Sequence, residues 1–189
     1  SRCNGSSRSS LPGAYRRKSN AACGHTKETV VNYTEQDLTL LRRTFTLAEQ
    51  AARQGVHPFA ALLTDEHGHI LMEQLNAYLP DHDMTGHAER VLMTRASTTY
   101  SPEQLARCTL YTSAEPCAMC AGATYWAGVG RVVYGASEAQ LKAMTGNHPE
   151  NPTLDLPCRR VFDAGQRQIE VVGPLLEEES IALHRDFWK

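Results

Sequence analysis

The sequence predicts a three-layer α/β domain, with one sheet held between two sets of helices. Three observations carry that expectation. Apolar runs of strand length alternate with helical patterns from residue 35 to residue 188. The 189 residues are 41% hydrophobic and 21% charged, an ordinary balance for one domain with a sizeable core. No internal repeat breaks the order, and no apolar run approaches the ~18 residues of a membrane span.

Residues 1–31 are rich in Ser, Arg, Gly and Asn and poor in large apolar residues. They read as a flexible or loosely attached N-terminal segment. Arg- and Ser-rich, acid-poor composition also describes an organelle-import peptide, whereas a secretory signal needs an apolar stretch that this segment lacks. The first helix is expected over 35–54. Thr34 and Asp37 make a capping box, Leu38, Leu41, Phe45, Ala48 and Ala52 form its stripe, and Gly55 ends it. Phe59 to Thr64 and His69 to Leu75 flank Asp65-Glu66-His67-Gly68 and read as a hairpin. Asn76 closes the second strand, and 77–86 is a polar loop.

A helix follows over 87–97, then a strand at Thr109 to Ser113 with Cys108 at its edge. The next helix runs from Cys117 to about Ala127, with Gly128 as its stop. Arg131 to Tyr134 is a fourth strand, and 137–144 a short helix. Residues 145–157 contain three prolines and two asparagines and read as loop. A helical turn near 157–164 leads through Gly165 to a fifth strand at 168–172. Pro174 and a final helix at 175–188, carrying Leu176, Ile181 and Leu183, complete the chain.

The formal net charge of −2 conceals an asymmetry. Residues 1–27 hold Arg2, Arg8, Arg16, Arg17, Lys18 and Lys27 and no acid; the remainder has 13 basic and 21 acidic residues. An acidic body is a poor match for a phosphate backbone, so a nucleic-acid partner is the less expected one. Of six cysteines, two fall in the motif below. Cys3, Cys23, Cys108 and Cys158 show no framework spacing, which points to a reducing, cytoplasmic compartment.

Two short stretches carry chemistry: His87-Ala88-Glu89 and Pro116-Cys117-Ala118-Met119-Cys120. Cys117 and Cys120 are three apart, which puts both sulfurs on one side of a helical turn. One neutral imidazole and two thiolates suit Zn²⁺ and leave a fourth tetrahedral position open, as a catalytic zinc requires. The two thiolates cancel the metal's charge, so an attacking water needs a separate proton acceptor, and Glu89 is the candidate. Residues two apart on a helix point about 200° apart. His87 and Glu89 can therefore share a pocket only at a helix start. Gly86 and Pro116 fit two such starts, whose N-termini favour thiolate and carboxylate charge. A lone CxxC is equally a redox pair, and a structural zinc would need a fourth protein ligand, for which Cys108 is the candidate. The paired half-motifs about 30 residues apart are, however, the known signature of zinc deaminases.

On these residues the chain resembles the cytidine-deaminase-like superfamily, and within it the branch of guanine deaminases and bacterial tRNA adenosine deaminases. The matching stretches are His57-Pro58-Phe59-Ala60-Ala61, Asn76, His82 to Glu89, and Leu110 to Ala123. The resemblance covers about 150 residues and leaves out the N-terminal segment. It implies a central mixed, roughly five-stranded sheet, with residues 32–189 as the zinc-dependent deaminase domain. It also implies one Zn²⁺ per chain on His87, Cys117 and Cys120, with Glu89 as proton shuttle, and a homodimer. Asn76 would hydrogen-bond the substrate, although a turn-forming role is an alternative. Phe59 and Trp126 would line the base pocket, with core packing the alternative for each, and backbone at Ala88 would meet the ring's polar edge. His57 is a further candidate for the pocket, and residues 140–160 for its rim.

Met84, Gly86 and Ala114 depart from the family pattern beside the pocket. The acidic final helix, ending His184-Arg185-Asp186-Phe187-Trp188, looks more like guanine deaminases, whose C-terminal segment closes over a small substrate. The expected activity is hydrolytic deamination of a free purine-type base or nucleoside, guanine first. The rival readings are tRNA adenosine deamination and a catalytically silent zinc-binding partner subunit.

Overall fold

Thr34 opens α1 (Glu35–Arg53): its hydroxyl accepts the Asp37 N–H, and the Asp37 carboxylate accepts the Thr34 N–H. This capping box is the predicted one. The buried face is broader than a single stripe. It takes in Leu40, Leu47 and Ala51 as well as Leu41, Phe45 and Ala48, because α1 lies across β1 to β4 of the sheet. Leu38 and Ala52 sit at its margins. The structure, a computed structural model, describes residues 32–146 and 148–188. The expectation made for residues 1–31 lies outside the described residues.

Strands β1 (Ala60–Thr64) and β2 (Ile70–Leu75) form the predicted antiparallel hairpin. Asp65 Oδ1 accepts the N–H groups of both His67 and His69, and so holds the turn. The remaining elements are α2 (Ala88–Thr99), α3 (Pro102–Leu105), β3 (Thr109–Ala114), α4 (Ala118–Ala127), β4 (Arg131–Ala136), α5 (Glu138–Thr145), α6 (Cys158–Asp163), β5 (Glu170–Val172) and α7 (Glu177–Ala182). The sheet order is β2-β1-β3-β4-β5. β1 is antiparallel to β2 and β3, and the β3, β4 and β5 pairs are parallel. This is the mixed five-stranded sheet that the resemblance implied.

Alternation along the strands divides the core into two layers. Ala61, Leu63, Leu110, Val132 and Tyr134 face α2, α4 and α6, against Leu92, Met93, Ala121 and Phe162. Leu62, Tyr111, Val133 and Val172 face α1 and the α7 region, against Leu41, Phe45 and Leu175. Every residue of β3 is buried, as a central strand covered on both faces requires.

Two expectations need correction. Helix α3 was not foreseen, although Ser101, Pro102 and Gln104 spell its capping box with Pro at the first position. The final helix is not 175–188: α7 ends at Ala182, and 183–187 are turns. Tertiary contacts outweigh helix propensity there. His184 is buried against Phe59, and Trp188 folds back to donate its indole N–H to His184 Nδ1.

β2 and β3 run in the same direction, since each is antiparallel to β1. The loops leaving their C-terminal ends thus emerge at one edge of the sheet, and α2 and α4 start there side by side. Gly86 permits that approach, because a Cβ on it would lie 2.6 Å from the Ala77 carbonyl oxygen. Its carbonyl in turn accepts the Ala77 N–H.

Candidate active site

His87 and Cys117 are the N-cap residues of α2 and α4, both in extended conformation, and neither makes a side-chain cap bond. Their side chains are therefore free to point away from the helices toward one another. Cys120 lies one turn into α4 on the same side. His87 Nδ1 is 3.6 Å from each of the two sulfurs, and all three ligand atoms lie within 4.8 Å of one another. Zn–N bonds of about 2.05 Å and Zn–S bonds of about 2.3 Å at a tetrahedral angle span about 3.6 Å between the donor atoms. The donor set therefore fits zinc in type and spacing. Cys108 supplies no fourth ligand. It is buried at the far end of β3, where its thiol donates to the Gln104 carbonyl.

The electrostatics favour a thiolate at Cys117. The hydrogen bond from Cys120 holds the Cys117 thiol well below its ordinary range, with His87 adding to it, and Cys120 rises in return because it donates. Glu89 sits one residue inside α2 and is 5% exposed. Burial pushes its carboxyl up, and the Thr112 hydroxyl, 2.5 Å from Oε1, works against that.

A small cavity opens beside these groups. Asn76, His57 and Phe59 line it, together with His87, Glu89 and Cys117. Asn76 makes the turn contact and lines the cavity. Its Oδ1 accepts the Tyr78 N–H, as a turn former does, which leaves the amide NH₂ for the cavity. Phe59 both lines the cavity and packs on His184, with ring centroids 4.9 Å apart. The Ala88 methyl is buried in the core, and its N–H is the first of α2, at a helix end without a side-chain cap.

Trp126 corrects the expectation made for it: it is 85% exposed and does not line the cavity. Cys120, Ala121, Thr124 and Ala127 form the buried face of α4, and Trp126, two residues beyond Thr124, points about 200° away from that residue.

Residue patterns missed four carboxylate or amide groups. Glu115, Glu138, Glu150 and Asn151 also line the cavity. Glu115 directly precedes Pro116, inside the matched stretch, but its role is visible only in three dimensions. One oxygen accepts the Glu138 N–H at 2.9 Å and the other the Cys158 N–H at 2.8 Å. It thus joins the metal-ligand turn to the first residues of α5 and α6, between which the rim segment runs. Glu138 is pushed up to about 8, first by burial and then by the negative charges of Cys117, Glu115 and Glu89. Glu150 and Asn151 come from the loop expected at the rim, where no periodicity fixes position.

With this geometry established, comparison with known proteins gives a consistent result. The family model for the cytidine and deoxycytidylate deaminase zinc-binding region matches residues 34–136. A probable cytosine deaminase of Schizosaccharomyces pombe is 42% identical over 156 residues, or 82% of this chain and 93% of that protein. The guanine deaminase of Bacillus subtilis is 40% identical over 99 residues, or 52% and 63% of the two chains. The solved structure of a guanine deaminase from Nitrosomonas europaea superposes with a TM-score of 0.66 at 26% identity, covering 85% of this chain and 88% of that one.

Proposed function

The chain belongs to the cytidine and deoxycytidylate deaminase family, and from that premise we propose that it hydrolyses the exocyclic amine of a free purine-type base, guanine first, to a keto group and ammonia. The observation that carries the choice of substrate is the cavity wall. Glu89 and Glu150 line the cavity beside Asn76, while Glu115 is engaged by the Glu138 and Cys158 N–H groups. Carboxylates accept the N–H groups of an amino-heterocycle and repel phosphate. The guanine deaminase relatives support the same reading.

In this reading His87, Cys117 and Cys120 hold one zinc ion per chain. Bound zinc polarises the attacking water and lowers its pKa toward neutrality. Glu89 takes one proton from the water and passes it to a ring nitrogen; it then takes the proton of the newly added hydroxyl and passes it to the amino group, so that the C–N bond breaks, ammonia leaves and a keto group remains. The free amide hydrogens of Asn76 and the Ala88 N–H donate to ring acceptors. Phe59 packs on the base face, and Glu150 accepts from the far edge of the ring.

A homodimer is part of the proposal. Its support is α4, which carries no charged residue and leaves Trp126 uncovered. Residues 32–189 form the catalytic domain. The cytoplasm is the proposed compartment, because the cysteines show no disulfide-framework spacing.

A second reading has specific support, since the fission yeast relative is described as a probable cytosine deaminase. Ammonia release from guanine, 2,6-diaminopurine, adenine, cytosine, the matching nucleosides and a tRNA anticodon stem-loop tests both. Release from guanine supports the proposal, and release from cytosine alone supports the second reading. Activity on the stem-loop with none on any free base overturns both.

A further inference from the structure

His57 lies between α1 and β1, outside both halves of the metal motif, and it is 8% exposed. Its ring is held between two others. Tyr78 lies 5.1 Å away at 31° and Trp188 5.3 Å away at 28°, while Phe187 meets it edge-on at 5.9 Å. Packing of this kind fixes both side-chain torsions of a histidine. From this fixed position Nε2 reaches Glu150 Oε2 at 3.2 Å.

Glu150 is in the opposite situation. Its side chain is 51% exposed and belongs to the rim between α5 and α6. The other end of the residue is tied to the same cluster: its N–H donates to His148 Nδ1, and the His148 ring meets Trp188 edge-on at 5.1 Å. An exposed glutamate on a loop loses rotamer entropy when it is ordered. A partner that is already immobile makes that ordering less costly at the moment of binding.

We propose that His57 is a positioning residue: its Nε2–H, fixed between Tyr78 and Trp188, holds the Glu150 carboxylate over the cavity, where that carboxylate accepts hydrogen bonds from the substrate's ring N–H or amino group. The proposal rests on the reading of this cavity as the base site. It also gives the C-terminal Trp188 a definite task, which is to lock the ring that aims Glu150. The chemical class it implies is a heterocycle with N–H donors on the edge away from the reacting carbon.

Four variants test it: His57→Phe keeps a ring between Tyr78 and Trp188 but removes the donor, His57→Gln keeps a donor, Glu150→Gln weakens the acceptor, and His57→Phe/Glu150→Gln combines two changes. Steady-state kinetics on free bases, zinc content, and hydrogen–deuterium exchange of residues 146–157 are measured for each. His57→Phe raises KM about tenfold with little change in kcat and none in zinc content, because a hydrogen bond to a charged group is lost. His57→Gln restores most of the loss, and the double variant is no worse than Glu150→Gln alone. Exchange over 146–157 quickens in His57→Phe and stays slow in His57→Gln. A wild-type KM in His57→Phe, additive effects in the double variant, or unchanged exchange over 146–157 overturns the proposal. Absence of turnover on every free base by the wild-type protein counts against the substrate reading instead, and the exchange measurement still decides the His57 contact.

Discussion

At the scale of single residues, Glu89 and Asn76 carry the sharpest consequences. Glu89→Gln keeps the shape of the side chain and removes its capacity to take a proton. The zinc content of that variant should equal that of the wild type, while kcat falls by about 10²- to 10⁴-fold. Residual turnover near the wild-type rate would contradict the role of Glu89. Asn76→Asp keeps the oxygen that accepts the Tyr78 N–H and removes the amide donor. We expect kcat/KM to fall about 100-fold with the unfolding free energy within about 1 kcal/mol of wild type, read by ammonia release and urea unfolding. The Glu89 candidacy is legible in the sequence because spacing constrains it, whereas the role expected of Asn76 came from the family resemblance. An H-x-E that must share a pocket places itself at a helix start, and a C-x-x-C places both sulfurs on one side. Glu115, Glu138 and Glu150 were not legible. Each reaches the cavity through a long-range contact, and no local pattern encodes contacts such as Glu115 with Cys158 or His57 with Glu150.

At the scale of elements, sequence punctuation decided most of the outcome. The Thr34–Asp37 box and Gly128, at φ +102°, mark helix ends as their chemistry predicts. α4 shows the limit of that reasoning: its apolar sequence gives no contrast between faces, so Trp126 could be assigned only once the buried face was known. The C-terminal segment shows another limit, since 183–188 follows its contacts with Phe59 and His57 rather than a helical period. His184 makes that segment sensitive to pH. Burial pushes its imidazole down from 6.5 to about 4. The unfolded chain takes up the proton near 6.5 and the folded chain only near 4. Its contribution to stability is thus complete above about pH 6.5 and is lost as the pH falls toward 4, by about 3 kcal/mol in all. Urea unfolding across that range should show the wild type losing about this much relative to His184→Phe. A constant difference between the two proteins would contradict the assignment.

At the scale of the whole molecule, the end of the sheet opposite the cavity is held by charge. Arg131, at the start of β4, donates to both oxygens of Asp37 on α1 at 2.8 Å, and the Tyr111 hydroxyl of β3 donates to Asp37 as well. Burial alone would raise Asp37, but the bonds from Arg131, Tyr111 and the Thr34 N–H outweigh it and bring it to about 2. The stability it contributes is present above its ordinary 3.8 and is lost as the pH falls toward 2, about 2 kcal/mol in all. Asp37→Asn should cost about 3 kcal/mol at neutral pH by removing the buried partner of Arg131 and leaving it only the exposed Glu170 carboxylate, and the gap to wild type should narrow below pH 4. Equal stability of the two proteins at pH 7 would show that the pair is dispensable. One end of the molecule is thus tied by a closed ion pair, while the other gathers carboxylates around a cavity.

The central claim is that His87, Cys117 and Cys120 hold one zinc ion with its fourth position left for water, next to Glu89. Zinc K-edge X-ray absorption on the purified protein, with metal content measured in parallel, tests it most directly. The account predicts about one zinc per chain, with two sulfurs at about 2.3 Å, one nitrogen at about 2.0 Å and one light oxygen scatterer. Protein without zinc, or a zinc ion bound by a third sulfur or a second imidazole, would contradict it.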